Sequence, residues 1–175
     1  MNKFKITTME LVYLGLAVAL LEISKLALEF LPNVELVTLL FIIYSIFFGR
    51  KTLLVVVGFV AIECFLKGVS VWVLMYLYIW PLLILAVCFA HKRKAGYLFY
   101  CILSGVFGLV FGFLCMIPNF FIGGVSMAIG WWISGIPYDI LHGVSNFIIC
   151  LVLFKPLYSV MKRICNLYYI PQIKS

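Results

Sequence analysis

Polar positions are scarce in this chain, and they fall in a pattern that divides it. Long apolar runs without period-two alternation are interrupted by four basic clusters. These are Lys3/Lys5, Arg50-Lys51, Lys92-Arg93-Lys94 behind His91, and the group Lys155, Lys162, Arg163 and Lys174. Together they hold eleven of the thirteen Lys and Arg residues, and only Lys25 and Lys67 fall elsewhere. The clusters bound segments 6–49, 52–91 and 95–154. A helix needs ~20 apolar residues to cross a bilayer. If all four clusters lie on one side, each segment must cross and return, which predicts six helices at 8–30, 34–48, 52–67, 70–90, 97–117 and 127–154. Breakers stand where turns are required: Pro32-Asn33, Lys67-Gly68, Pro118-Asn119 and Gly123-Gly124. Helices two and three come out short, at about 22 Å each from the helical rise.

Composition turns this pattern into a statement about solvent. Apolar residues make up 66% of the 175 positions and charged residues 11%, with a mean hydropathy of +1.23. A soluble domain carries roughly 25% charged residues, and a chain of this length is too short to hide the excess in one core. Lipid leaves only helices or a closed barrel, and the absence of alternation excludes the barrel. The expectation is an all-α integral membrane protein, one transmembrane domain over 1–175. Its N- and C-termini are cytoplasmic because short Lys/Arg-rich loops stay inside. Topology thus accounts for the net charge of +7, and the expected surrounding is membrane lipid rather than nucleic acid. The six cysteines show no C-x-x-C spacing, so neither a disulfide framework nor a metal site is expected, and no cofactor motif is present. Ala17-Val18-Ala19 after a basic start mimics a signal cleavage site, but its removal would leave an odd number of spans. We find no internal repeat and no low-complexity tract.

Five of the six acids, Glu22, Glu29, Glu35, Glu63 and Asp139, fall by this topology in the outer half of the membrane or at its edge, with Lys25 and Lys67 at similar depth. Ionisable groups there usually face the bundle interior or a wet cavity. Glu22 with Lys25, Lys25 with Glu29, and Glu63 with Lys67 have the spacing for local pairing along a helix; Glu35 and Asp139 have no such partner. Helix six is the densest stretch, Gly130-Trp131-Trp132-Ile133-Ser134-Gly135-Ile136-Pro137-Tyr138-Asp139-Ile140-Leu141-His142-Gly143-Val144-Ser145-Asn146. Gly135, Asp139, His142 and Asn146 share one helix face, with Trp131 and Tyr138 on or beside it. Pro137 and Gly135 are expected to free backbone carbonyls in the same turn. Such a stripe suits a polar ligand; the plainer reading is a packed helix in which Asp139 and His142 bond each other. Trp72, Tyr76 and Trp80 give helix four a single aromatic face, and the two stripes together suggest an aromatic pocket with a few polar anchors. Gly108-x-x-x-Gly112, extended by Ser104, and Gly15-x-x-x-Ala19 permit close helix approach.

These features resemble the S component, the substrate-binding membrane subunit, of an energy-coupling factor (ECF) vitamin transporter. The resemblance rests on the span count and length, Pro32-Asn33-Val34-Glu35, Phe48-Gly49-Arg50-Lys51, and Gly135-Ile136-Pro137-Tyr138-Asp139-Ile140-Leu141-His142-Gly143 ahead of Phe154-Lys155-Pro156, and it covers roughly residues 8–160. It implies a multi-pass protein of a bacterial cell membrane with a ligand pocket near the outer face. It also implies docking of helix one on a transmembrane coupling protein through an Ala-x-x-x-Ala motif, here Gly15-Leu16-Ala17-Val18-Ala19. The chain has no nucleotide-binding motif, so two partner ATPases are expected to supply the energy. Metal cargo is not expected, because the metal-carrying members have a histidine-bearing N-terminus and this chain begins Met1-Asn2-Lys3.

The functional expectation is capture of a water-soluble vitamin or related micronutrient by Asn33, Glu35, Trp72, Tyr76, Asn119, Trp131, Tyr138, Asp139 and His142, with Gly15 and Ala19 docking the coupling protein. Two alternatives stand beside it. One is an intramembrane enzyme using Asp139 and His142 as an acid–base pair, against which the chain offers no nucleophile motif and no H-E-x-x-H. The other is a self-sufficient small transporter, for which an inverted repeat is missing.

Overall fold

A chain this apolar satisfies its backbone within helices, and the residues described, 7–167, are helical apart from short connections in a computed structural model. The basic residues Lys3, Lys5 and Lys174 lie outside the described residues. The elements are α1 (Thr8–Leu28), α2 (Val37–Phe48), a short 3-10 turn (Gly49–Lys51), α3 (Thr52–Lys67), α4 (Val71–Lys92), α5 (Tyr97–Cys115) and α6 (Ile117–Leu167). Five segments are long and apolar enough to cross a membrane: Thr8–Leu28, Val37–Lys67, Val71–Lys92, Tyr97–Cys115 and Ile117–Leu167. The expected span 34–48 is shorter still in the structure. Its helix has 12 residues, about 18 Å at the helical rise, short of the ~30 Å hydrocarbon core. The apolar stretch Val37–Lys67 takes it together with α3, across the turn at Gly49–Lys51 where Gly49 has a φ of 57°.

Position explains why α2 is so short and so apolar. It is flanked by all five other helices, and every residue from Val37 to Phe47 is buried. A helix that is apolar all round belongs in an interior. Its few polar groups are satisfied locally or used at the site. Ser45 donates to the Phe41 carbonyl at 2.6 Å, and the segment before Val37 supplies a cap described below.

The N-terminus of α1 is closed by a capping box. Glu10 N–H donates to Thr7 Oγ1 at 3.2 Å, and Thr7 N–H to Glu10 Oε2 at 3.0 Å. The same Glu10 pairs with Lys51 in the α2–α3 turn, tying the start of α1 to the first basic cluster. Arg50 and Lys92 both lie near Cys88, and His91, Lys94, Phe154 and Tyr158 surround one cavity. The basic clusters at 50–51 and 91–94 therefore gather at one end, opposite the five acids.

The most extensive helix pair is α5 with α6, and it is built on missing side chains. A Cβ on Gly108 would stand 2.8 Å from the Gly143 backbone, and one on Gly112 would stand 2.3 Å from an Asp139 carboxylate oxygen. Ser104 Oγ donates to the Asn146 carbonyl at 3.3 Å. The Gly108-x-x-x-Gly112 stripe thus brings α6 against α5. Gly15-x-x-x-Ala19 does not behave this way: nothing lies within 4 Å of a Cβ on Gly15. It sits on the outward face of α1 among the exposed Leu11, Leu16 and Leu20, while Leu14, Ala17, Val18 and Leu21 pack inward.

α6 continues to Leu167, well past the expected end at residue 154, and stays helical through Gly135 and Pro137. Its break falls at Gly124, within the expected Gly123-Gly124 breaker, with φ 75° and ψ −171°, a left-handed value that glycine adopts without a Cβ clash. All six cysteines are free thiols, five of them buried.

Candidate ligand-binding site

Two neighbouring cavities lie at the acid-rich end, with volumes of about 280 Å³ and about 340 Å³, at the low end of the usual range for small-molecule sites. They share Asn33, Trp72 and Phe111 as lining residues. The first is walled by the α1–α2 connection from Leu31 to Glu35, by Trp72, Tyr76 and Trp80 of α4, and by Phe111 and His142. The second lies between α5 and α6 and is lined by Gly112, Cys115, Trp131, Ser134, Gly135, Tyr138 and Asp139.

The expected residues therefore come together, in two groups. Asn33, Glu35, Trp72, Tyr76 and His142 border the first cavity. Asn33 and Trp72 recur at the second, beside Trp131, Tyr138 and Asp139. Asn119 is buried but borders neither. Its place is on the short turn of α6 before the Gly124 break.

A polar chain organises the first cavity. Glu35 precedes α2 and accepts the Thr38 backbone N–H at 2.8 Å, so a carboxylate satisfies an orphan donor at a helix N-terminus. Thr38 Oγ1 also donates to Glu35 and accepts from Asn146 Nδ2 at 3.2 Å. On the other side His142 Nε2 stands 3.3 Å from Glu35 Oε1, its ring edge-on to Phe111 at 5.0 Å. Asn33 takes a positive φ of 57°, the left-handed region that asparagine tolerates better than most residues. Its carbonyl accepts from Ser145 Oγ at 2.8 Å. The connection is thereby pinned to α6 at two points, Asn33 and Glu35. Burial works to raise the Glu35 pKa, but the His142 and Thr38 hydrogen bonds outweigh it and hold the carboxyl below its ordinary value.

No protein-family model matches this chain, and no curated protein or solved structure matches it.

Charge pairing at this end departs from the local pairs expected along single helices. Lys25 of α1 pairs with Glu63 of α3, and Lys67 of α3 pairs with Glu29 at 2.9 Å. Both bridges run between α1 and α3, because those helices pack closely enough for Gly58 to face Val18. Glu22, buried at 6% exposure, stands close to the Glu63 carboxyl. The hydrogen bonds of Asp139 and His142 run to different partners. Asp139 Oδ1 accepts the Gly112 N–H at 2.9 Å, while His142 faces Glu35.

Several lining residues lay outside the sequence expectation. Phe111 borders both cavities and stands one position before Gly112, in a stretch read only for helix packing. Lys25 borders the first cavity, held over the Phe59 and Tyr76 rings at 5.4 Å and 5.2 Å. Trp80, part of the expected aromatic face of α4, borders it as well, stacked on Phe41 at 4.9 Å, with its Nε1–H buried and unpartnered. Aromatic faces with a few polar groups at the edge are the usual lining of a small-molecule pocket.

Proposed function

We propose that this chain is a substrate-binding membrane subunit of the ECF S-component type. It captures a water-soluble, ring-bearing micronutrient and delivers it together with a coupling protein and two ATPases. The observation that carries the reading is the pair of aromatic cavities, assembled from the α1–α2 connection, α4, α5 and α6 and edged by Glu35, His142 and Asp139. The segregation of acids and basic clusters to opposite ends supports an orientation with the cavities outside and the basic clusters in the cytoplasm. In this reading α2 and α3 form a hairpin about Gly49–Lys51, and the chain crosses a bacterial cell membrane six times. The outward face of α1, with Gly15 and Ala19 among exposed leucines, leaves a small-residue surface for the coupling protein.

A thermal-shift screen of the purified chain against water-soluble vitamins and their precursors tests this. A ligand that binds only the folded state adds about 2.7 kcal/mol at a hundredfold excess over its Kd. We expect one compound class to raise the melting temperature, and Trp131→Ala to abolish the rise. A folded sample that responds to no member of the panel would overturn the proposal.

A further inference from the structure

Pairing at the acid-rich end leaves a specific remainder. Its three basic side chains are all engaged: Lys25 with Glu63, Lys67 with Glu29, and His142 with Glu35. Each lysine at this end already faces a carboxylate, which offsets its attraction for an anionic ligand. Among the described residues the second cavity has no basic lining residue, and its one ionisable side chain besides Cys115 and Tyr138 is Asp139. Asp139 is 8% exposed. Its Oδ1 takes the Gly112 N–H at 2.9 Å, but its Oδ2 has no hydrogen-bond partner. An unpartnered carboxylate oxygen away from water is costly, and a donor or positive charge placed there relieves it.

The surroundings of Asp139 favour one kind of donor. Trp72 and Trp131 stand with ring centroids 5.7 Å apart in the wall of this cavity, with Phe111 and Tyr138. Aromatic faces carry negative quadrupole density and attract cations, most strongly from tryptophan and in a desolvated site. An inorganic cation lacks its ligands here, since no group of three or more His, Cys, Asp or Glu that could hold a metal occurs among the described residues. We propose that the second cavity takes a monovalent organic cation, a quaternised or protonated nitrogen on a flat ring, with its charge facing Asp139 and its ring against the Trp72–Trp131 wall. This rests on the ligand-binding reading above and names the charge class of its substrate. At about 340 Å³ the cavity suits one or two fused rings.

The test uses the purified full chain in detergent and follows tryptophan fluorescence. The probes form two matched sets: N-methylnicotinamide cation, nicotinamide and nicotinate; N-methylquinolinium, quinoline and quinoline carboxylate. We expect each cation to bind at least about tenfold tighter than its neutral and anionic counterparts. Asp139→Asn keeps an acceptor for the Gly112 N–H and should erase that preference, so that cation and neutral counterpart bind alike. Trp131→Leu, which keeps an apolar side chain but removes the π face, should weaken the cations selectively. Neutral or anionic probes that bind as tightly as the cations would overturn the inference and leave the binding subunit standing. So would a preference that survives Asp139→Asn in a sample melting like wild type. No binding by any probe, or by any compound of the vitamin panel, would overturn both.

Discussion

Gly108→Ala probes the contact that builds the second cavity. The new methyl carbon would sit 2.8 Å from Gly143 Cα, Gly143 N and His142 C, against 3.4–4 Å for an ordinary contact. Relief to 3.4 Å therefore needs a shift of about 0.6 Å (3.4 − 2.8). All three neighbours are backbone atoms, so no rotamer change supplies it and α6 must move away from α5. That movement strains the Ser104–Asn146 bond, already 3.3 Å long. Overpacking of this kind costs about 1–3 kcal/mol, offset by up to about 1 kcal/mol from replacing a helix-interior glycine with alanine. The net expectation is a loss of up to about 2 kcal/mol. Gly15→Ala is the matched control: it meets nothing within 4 Å and keeps only the helix gain. The gap between the two variants is then the overpacking cost, and at roughly 2–4 °C per kcal/mol for a chain of this size they should melt roughly 2–12 °C apart in one detergent, Gly108→Ala lower. Equal melting temperatures, or a more stable Gly108→Ala, would refute the close-packed α5–α6 seam.

The other expectations follow from the polar groups. Glu35 is held below its ordinary carboxylate value in the folded chain. Its stabilisation is therefore complete above the unfolded pKa and is lost as pH falls through the depressed native one. Melting curves between about pH 6 and pH 3 should show a steeper acid loss for wild type than for Glu35→Gln. Thr38→Val removes the hydroxyl that donates to Glu35 and accepts from Asn146; with Asn146 buried and Glu35 partly so, a chemical denaturation series should register about 1–3 kcal/mol. Lys25→Met leaves the buried Glu63 without its cation and should cost about 3–5 kcal/mol, largely recovered in Lys25→Met/Glu63→Leu. Lys67→Met, which breaks an exposed bridge, should leave the melting temperature near wild type.

The elements were legible because lipid reduces the choice to helices and because breakers and basic clusters mark their ends. The bounds of α3, Thr52–Lys67, coincide with the expected span, flanked by Arg50-Lys51 and Gly68. The length of α2 was not legible: Asn33, Val34 and Glu35 are compatible with a helix start until Ser145 and His142 of α6 capture them as a connection. Pairing failed for the same reason. The spacing of Glu22, Lys25 and Glu29 advertises bridges along α1, yet Lys25 and Glu29 both reach α3. The rotation of one helix against another is set by contacts such as Gly58 on Val18, which no single-helix periodicity contains. The site was legible where one helix carries the pattern, as for Trp72, Tyr76 and Trp80, or Asp139 and His142. Phe111 and Lys25 join it only because other helices turn toward them.

Binding without turnover is the claim on which the account depends, and equilibrium dialysis with mass-spectrometric recovery measures it most directly. The purified chain, without partners or nucleotide, would be equilibrated with the compound that gives the largest thermal shift, then extracted. The account expects saturable uptake of one ligand per chain, recovery of the ligand chemically unchanged, and loss of uptake in Trp131→Ala. Conversion of the compound to a product by the isolated chain, with Asp139→Asn or His142→Gln abolishing that conversion, would contradict it and establish an enzyme.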